Sequence, residues 1–304
     1  MRSTSNLLLL LAAAIWGLAF VAQRVGMDHV GPFTFNGVRF ALGSLSLVPL
    51  MIYFTRQDTA TSGAKDGPRA AKASYAGLLV GAILFIAASL QQIGLVYTTA
   101  GKAAFITCLY IVLVPITGIF LRHRITLPTW LGSILAVVGL YFLCVKESLT
   151  ISYGDLLELI GAFFWTAHIL VIDHYSRKVD TLKLACFQFL TCSVLSLLTA
   201  VAIETITTDG IVQAAVPLLY GGVCSVGIAY TLQIVGQKHA APAHAAIILS
   251  METVFAALGG YLLLDERLGP LELLGCALML AGMLLSQLQV MKPEKPAPAD
   301  QSAA

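Results

Sequence analysis

The amino-acid sequence predicts an all-α membrane protein of ten transmembrane helices, arranged as two inverted five-helix repeats around a central cavity. Three observations support this prediction: the composition, the number of long apolar runs and a self-similarity between the two halves. Of the 304 residues, 58% are hydrophobic and 11% are charged, whereas soluble proteins carry about 25% charged residues. So few charges cannot cover the surface of a soluble domain of this size, and we infer that most of the chain contacts lipid.

Ten apolar runs are long enough to form spans, because a helix needs about 20 residues to cross a hydrocarbon layer about 30 Å thick. They cover residues 7–23, 33–54, 75–96, 103–121, 129–145, 156–175, 182–203, 212–235, 243–264 and 271–289. Turn-forming residues separate the runs, among them Gly154 and Asp155. We expect residues 55–74 to be a flexible connection and 291–304 a disordered cytoplasmic tail, because both are rich in small and polar residues.

The positive charges indicate that both termini are cytoplasmic. With ten spans the termini lie on one side, and that side carries 13 of the 18 Lys and Arg residues. The opposite side carries four, and Arg39 lies inside the second run. Because cytoplasmic loops carry an excess of Lys and Arg, the side that bears both ends is assigned to the cytoplasm.

The two halves of the chain also resemble each other at corresponding positions. The matching pairs are Trp16 with Trp165, Arg39-Phe40 with Gln188-Phe189, and Gln91 with Gln233. We therefore predict one five-helix unit over residues 1–148 and a second over 149–290. Because five is odd, the second unit enters the membrane inverted, and inverted repeats supply the two packings that alternating access requires. The first run also fits a cleaved signal peptide, but the repeat needs it as the counterpart of the sixth run.

Three segments carry a resemblance to a known family. They read AAAIWGLAF from Ala12, YTTAGKAAFITCLYIVLVP from Tyr97 and SMETVFAALGGYLLLDER from Ser250. Together with the five-plus-five layout, they resemble EamA-type members of the drug/metabolite transporter superfamily. The resemblance implies a ten-helix exporter of amino acids or other small metabolites in a bacterial or archaeal inner membrane.

The chain departs from that family pattern at two places. Members often carry Glu-Arg after both the fourth and the ninth helix, whereas this chain has Arg122-His123-Arg124 after the fourth and keeps Glu266-Arg267 after the ninth. Members also often have Pro after the Glu of the ninth helix, where this chain has Thr253. The first departure argues against identical roles for the two loops.

Two charged residues inside the apolar runs are the strongest candidates for a binding site. Glu252 lies near the middle of the ninth run, where a charge costs about 2.5–3.5 kcal/mol, and its repeat counterpart is expected near the apolar Leu109. It fits a substrate-amine contact, a proton-coupling carboxylate, or a structural group bonded to neighbouring helices. Arg39, one turn beyond Asn36, fits a contact for a substrate carboxylate, a partner for an acid, or a side chain that extends to the interface.

Mid-span aromatic and amide side chains complete the predicted site. Aromatic belts lie at helix ends, so mid-span rings indicate either a cavity wall that stacks a solute or plain packing. Amides and a lone His similarly fit either a binding role or hydrogen bonds between helices. The candidate lining residues are Trp16, Asn36, Arg39, Gln91, Tyr110, Trp165, His168, Tyr230, Gln233 and Glu252.

Motifs for nucleotide hydrolysis, zinc proteolysis and serine hydrolysis are absent from the sequence. We expect no catalytic residue, cofactor or metal, and the small net charge of +2 argues against nucleic-acid binding. The expected partners are a small-molecule substrate and the lipid bilayer; a coupling proton and the choice between monomer and homodimer stay open. The leading prediction is a secondary transporter, and the alternatives are a polytopic membrane enzyme and a non-transporting assembly subunit.

Overall fold

A computed structural model describes residues 2–62, 67–117, 127–144, 151–176, 178–237 and 248–287. All the regular elements in these residues are helices. In the first half they are α1 (Arg2–Gly26), α2 (Pro32–Ser62), α3 (Gly67–Tyr97), α4 (Ala100–Thr107), α5 (Tyr110–Thr117) and α6 (Leu127–Cys144). In the second half they are α7 (Tyr153–Ser176), α8 (Thr181–Ile203), α9 (Thr208–Gln213), α10 (Ala215–Leu219), a π-helical segment (Tyr220–Ala229), α11 (Tyr230–Gln237), α12 (Glu252–Leu264) and α13 (Pro270–Gln287).

Six stretches of these helices are long and apolar enough to cross a membrane. They are Thr4–Gly26, Pro32–Tyr53, Ala73–Tyr97, Tyr153–Ile172, Leu182–Ile203 and Ala215–Gln233. Shorter apolar helices cover Ala100–Val114, Trp130–Leu143, Glu252–Leu264 and Pro270–Leu285. The predicted all-helical class is confirmed, and each predicted run overlaps one of these stretches, whereas the inverted ten-helix arrangement stays a prediction.

The prediction of a flexible connection over residues 55–74 was wrong. Helix α2 continues to Ser62 and α3 begins at Gly67, so only residues 63–66 of that connection lie outside the described residues. Polar residues such as Arg56 and Gln57 end a membrane span, but they do not end a helix, because Arg, Gln, Lys and Ala are good helix formers in water. The predicted tail, 291–304, lies wholly outside the described residues.

The fourth predicted run is broken rather than continuous. Cys108 and Leu109 form a turn between α4 and α5, and the Leu109 N–H donates to the Ile106 carbonyl at 3.1 Å. In the second half, Ser250 and Met251 form a corresponding turn directly before α12. Irregular backbone at membrane depth is tolerated only where protein covers it or where it lines a cavity. These two turns therefore mark places where the bundle supplies polar partners.

Glycines bring α6 and α13 into close backbone contact. A Cβ atom added at Gly139 would lie 2.6 Å from the Met279 nitrogen and 2.7 Å from the Gly275 carbonyl oxygen. A Cβ atom at Gly282 would lie 2.5 Å from the Gly132 carbonyl oxygen. Small residues permit this approach in membranes, where close van der Waals packing drives helix association.

Replacing Gly139 by Ala is therefore expected to destabilise the protein. The added methyl group meets backbone atoms that cannot rotate away, and overpacking of this kind costs about 1–3 kcal/mol. We expect a lower thermal midpoint in a detergent unfolding assay followed by size-exclusion chromatography. The matched control is Gly161→Ala, another helix-interior glycine, whose added Cβ would lie 3.6 Å from the nearest atom. A midpoint for Gly139→Ala at or above that of the control would contradict this packing.

Helices α2, α3 and α8 pack around a central aromatic pair. The rings of Phe40 and Phe189 are stacked with centroids 6.0 Å apart, and both side chains are fully buried. On the α3 side, a Cβ at Gly81 would lie 2.7 Å from the Gln188 carbonyl oxygen. The spacing of Gly77 and Gly81 therefore serves helix packing inside the chain, and this core positions the residues of the candidate site.

Candidate binding site between the two halves

Glu252 lies in a buried position at the first turn of α12 and is 5% exposed. Its Oε1 atom accepts a hydrogen bond from Cys108 Sγ at 2.9 Å and another from the Tyr110 hydroxyl at 3.1 Å. Both donors lie at the break between α4 and α5. Residues two apart in a continuous helix do not lie on one face, so the break is what lets both side chains reach the same carboxylate. The break thus supplies two donors from the first half to a carboxylate of the second half.

Arg39 lies in α2 and is also buried, with 5% of its surface exposed. Its Nε donates to Asn36 Oδ1 at 3.0 Å, and Asn36 Nδ2 in turn donates to the Ala88 carbonyl at 3.0 Å. The guanidinium carbon lies 4.8 Å from the centroid of the Phe40 ring. Within the described residues, no carboxylate lies within 4.0 Å of it, and its terminal amino groups make no hydrogen bond. The guanidinium therefore retains donors for a ligand.

A row of aromatic rings connects α1 to the central pair. Trp16 Nε1 donates to the Ser225 carbonyl in the π-helical segment at 3.1 Å, and its ring meets the Tyr230 ring edge-on at 4.9 Å. Tyr230 then packs against Phe189 at 5.2 Å. The row therefore links Trp16 of α1 through Tyr230 to Phe189 and Phe40, the ring that the Arg39 guanidinium contacts.

The second tryptophan, Trp165, packs against the cluster that contains Phe40 and Phe189. Trp165 Nε1 donates to Gln91 Oε1 at 3.0 Å, and the Trp165 ring meets the His168 ring edge-on at 5.6 Å. The Nε2 atom of His168 lies 3.1 Å from Gln188 Oε1. His168 is thus a hydrogen-bonded polar group, and groups of three metal-ligating side chains are absent from the described residues.

The residues predicted from the sequence therefore lie in four contacting groups: Asn36 with Arg39, Trp16 with Tyr230, Gln91 and His168 with Trp165, and Tyr110 with Glu252. Gln233 is the exception: it is half-buried on α11, and its side chain makes no hydrogen bond with another described residue. Its repeat counterpart Gln91 accepts a hydrogen bond from the Trp165 indole, whereas the Trp16 indole donates to a main-chain carbonyl. The repeat relation between the two Trp residues thus does not extend to their partners.

Sequence reasoning missed the partners of these residues. Cysteine behaves as a small apolar residue in helix packing, so the sequence does not single out Cys108, yet its thiol donates to Glu252. Asp155 was interpreted as a turn residue, yet it lies in the first turn of α7 and is 1% exposed. Glu158, fully buried one turn later, accepts from Thr107 Oγ1 at 3.0 Å. The available signal was the spacing of Asp155 and Glu158, which places both acids on one helix face.

Polar contacts join the two halves at the start of α2 and at the start of α4. Glu204, after α8, accepts from the backbone N–H groups of Phe33 and Thr34 at 2.8 Å each. Such a carboxylate at the N-terminus of a helix, here α2, is favoured by the helix dipole. Nearby, Glu266 accepts from the Ala100 N–H at 3.0 Å, and Lys102 pairs with Glu272 at 2.6 Å. Each contact links a first-half residue to a second-half residue.

Comparison with known proteins identifies this arrangement. The model of the EamA-like transporter family matches residues 3–145 and again residues 152–288. The chain belongs to the EamA-like transporter family. It is accordingly a multi-pass membrane protein, and the family points to transport rather than to enzymatic catalysis.

Relatives of this EamA-family chain carry the same general description. An uncharacterized transporter from Archaeoglobus fulgidus is 32% identical over 298 residues, which cover 95% of this chain and 87% of the relative. The uncharacterized transporter YoaV from Bacillus subtilis is 23% identical over 90% of this chain and 92% of its own length. One solved crystal structure matches with a TM-score of 0.68 at 18% identity, over 97% of this chain and 100% of that chain. At that identity the match supports the fold alone.

Proposed function

We propose that this EamA-family protein is a secondary transporter that exports a small metabolite, such as an amino acid, across the inner membrane by alternating access. The observation that carries the proposal is a buried guanidinium in the first half and a buried carboxylate in the second half, neither of which forms an ion pair with a described residue. Arg39 has donors left for an anionic group, and Glu252 offers acceptors to a cationic group. A zwitterion would satisfy both.

The aromatic residues fit the same class of solute. Trp16 and Tyr230 form an edge-on pair in the row of rings that leads to Phe40, the ring that the Arg39 guanidinium contacts, and aromatic faces attract cationic groups. An amino acid bound here would place its ammonium near Glu252 and its carboxylate near Arg39. Its amine would then approach Oε2 of Glu252, because Cys108 and Tyr110 both donate to Oε1.

Alternating access between inverted repeats is supported by the way the halves pack. With an offset of 143 positions, Gly132 corresponds to Gly275 and Gly139 corresponds to Gly282. The contact between Gly139 and Gly275 is therefore equivalent to the contact between Gly282 and Gly132. Phe40 stacks on Phe189, its counterpart in the other half. Such self-matching contacts are what a two-fold axis in the membrane plane produces.

The breaks in the two halves support the same relation. The two turns lie 142 positions apart: Cys108 corresponds to Ser250, and Leu109 corresponds to Met251. With that offset the counterpart of Glu252 is Tyr110, rather than the apolar Leu109 expected from the sequence. The two counterparts are hydrogen-bonded to each other. Discontinuous helices of this kind form midplane substrate sites in transporters with inverted repeats.

Counterflow in liposomes tests the proposed function. Purified full-length protein is reconstituted with one unlabelled amino acid inside, and the labelled form is supplied outside. We expect transient accumulation above that of protein-free liposomes for at least one amino acid. Absence of counterflow across a panel of amino acids, amines, organic acids and sugars would overturn the proposal, as would turnover of a substrate without flux.

The proposed direction and orientation are tested in cells. Both termini are proposed to be cytoplasmic, so green fluorescent protein fused after Ala304 should fluoresce in the inner membrane. Overexpression should raise resistance to a toxic analogue of the exported metabolite, because export lowers its internal concentration. Greater sensitivity with overexpression would show uptake and contradict the proposed direction.

A further inference from the structure

Two acidic side chains outside the proposed substrate site share a buried position in α7. Asp155 and Glu158 are 1% and 0% exposed and lie one turn apart on one face. Thr98 donates to Asp155 Oδ1, and Thr107 donates to Glu158 Oε2 at 3.0 Å. The other oxygen of each, Asp155 Oδ2 and Glu158 Oε1, is buried without a hydrogen-bond partner among the described residues.

Within the part of the chain that the structure describes, no basic side chain lies within 4.0 Å of either acid. Four titratable groups on or between the elements packed against α7 contact other residues. Tyr97 of α3 packs edge-on against Tyr153, Lys102 of α4 pairs with Glu272, and Cys108 and Tyr110 donate to Glu252. Two neighbouring ionised carboxylates without a countercharge are strongly disfavoured at this burial. A positive ligand on one of them would remove this cost.

The space around the unpartnered oxygen favours the smallest such ligand. A Cβ atom added at Gly94 would lie only 2.9 Å from Glu158 Oε1, so α3 packs closely over this carboxylate. Ca²⁺ requires six to eight oxygen ligands, and Mg²⁺ keeps several waters; this cluster offers two acids and two threonine hydroxyls. A proton needs no coordination shell and converts an orphan oxygen into a donor.

We propose that Asp155 and Glu158 form a proton site that couples transport to the pH gradient. This proposal rests on the proposed transport function. A proton from water on one side binds a carboxylate oxygen of the pair, and the same O–H bond breaks when the proton leaves to water on the other side. While it is bound, the pair carries one negative charge that the two threonine hydroxyls stabilise.

The position of the pair explains how the proton acts on the halves. Both acids belong to the second half, whereas Thr98 and Thr107 belong to the first half. Loss of the proton leaves two like charges at this junction, which disfavours the packing seen here and favours the alternative one. A ligand shifts an equilibrium between two states when it binds them with different affinities. The affinity of Asp155 and Glu158 for a proton would differ between the two packings, because their threonine partners belong to the other half.

Two transport assays test the proposal with the full-length protein. Counterflow needs no gradient, whereas accumulation driven by an imposed pH gradient needs coupling. The double variant Asp155→Asn, Glu158→Gln is expected to keep counterflow and to lose gradient-driven accumulation by about tenfold, within the usual range of coupling. The matched control is Asp209→Asn, an exposed carboxylate, which should retain both activities.

The protonated carboxyl can also be measured directly, without a transport assay. The measurement uses wild-type protein and a conservative variant as well as the double variant, so misfolding of one variant does not decide the result. Infrared spectra of the purified protein over a pH series should show a protonated-carboxyl band that disappears with Asp155→Asn, Glu158→Gln, and that persists with Glu158→Asp. If wild-type protein shows no counterflow but keeps this band, the proposed transport function fails and the proton site stands. Three results would overturn the proton site when counterflow occurs. Accumulation could be driven by Na⁺ instead of the pH gradient, it could survive in the double variant, or the infrared band could be unaffected by the double variant.

Discussion

Glu252→Gln is expected to abolish efficient transport of substrates that carry an amine. The glutamine retains the shape of the side chain but loses the charge that an ammonium group would pair with. A hydrogen bond to a charged group is worth about 1.5–3 kcal/mol. Since each 1.4 kcal/mol corresponds to tenfold in affinity, we expect KM in counterflow to rise by about ten- to a hundredfold.

Two controls separate a binding role for Glu252 from a structural one. An analogue that lacks the amine should be transported equally by wild type and by Glu252→Gln, because it makes no ion pair with residue 252. Glu252→Asp retains the charge and should retain part of the activity. If both substrates lose transport to the same extent, the carboxylate acts by bonding Cys108 and Tyr110, and the predicted ammonium contact is wrong.

Arg39→Gln is expected to have an effect of similar size on substrates that carry a carboxylate. The guanidinium binds carboxylates with two parallel N–H groups, and its terminal donors are unused by the described residues. We expect a rise in KM of about tenfold or more, since each 1.4 kcal/mol is tenfold. Arg39→Lys should recover only part, because a lysine ammonium lacks the planar fork.

Arg24→Gln provides the comparison for Arg39. Arg24 forms an ion pair with Asp28 at 3.5 Å near the end of α1, and its side chain is 34% exposed. Surface pairs contribute about 0–1 kcal/mol, so transport by Arg24→Gln should match wild type. Transport by Arg39→Gln that also matches wild type would remove the guanidinium from the site.

The helices were predictable because lipid imposes a simple requirement on composition and length. Long apolar runs located the ten segments, and each overlaps a helix. What the composition could not show was where a helix continues into water, as at Ser62, or where it stops inside the bundle, as at Cys108. Neither the turn at Cys108 and Leu109 nor the turn at Ser250 and Met251 contains proline or glycine. Both turns therefore arise from contacts with other helices rather than from local preference.

The charged members of the site were predictable for a related reason. A charge inside an apolar run is costly, so the sequence alone distinguishes Arg39 and Glu252 from their neighbours. Their partners were not predictable, because Cys108 is apolar in character and Phe189 is an ordinary core residue until Phe40 lies against it. Asp155 was misread because a carboxylate beside glycine is typical of a turn.

The turn after α4 places two consecutive residues in contact with two separate acids. Thr107 donates to Glu158 and Cys108 donates to Glu252, so one planar peptide unit links the neighbourhoods of the proposed proton and the proposed solute. Any displacement of that rigid unit is felt by both. Thermodynamic reciprocity then requires that the solute alter proton affinity by the same factor by which the proton alters solute affinity.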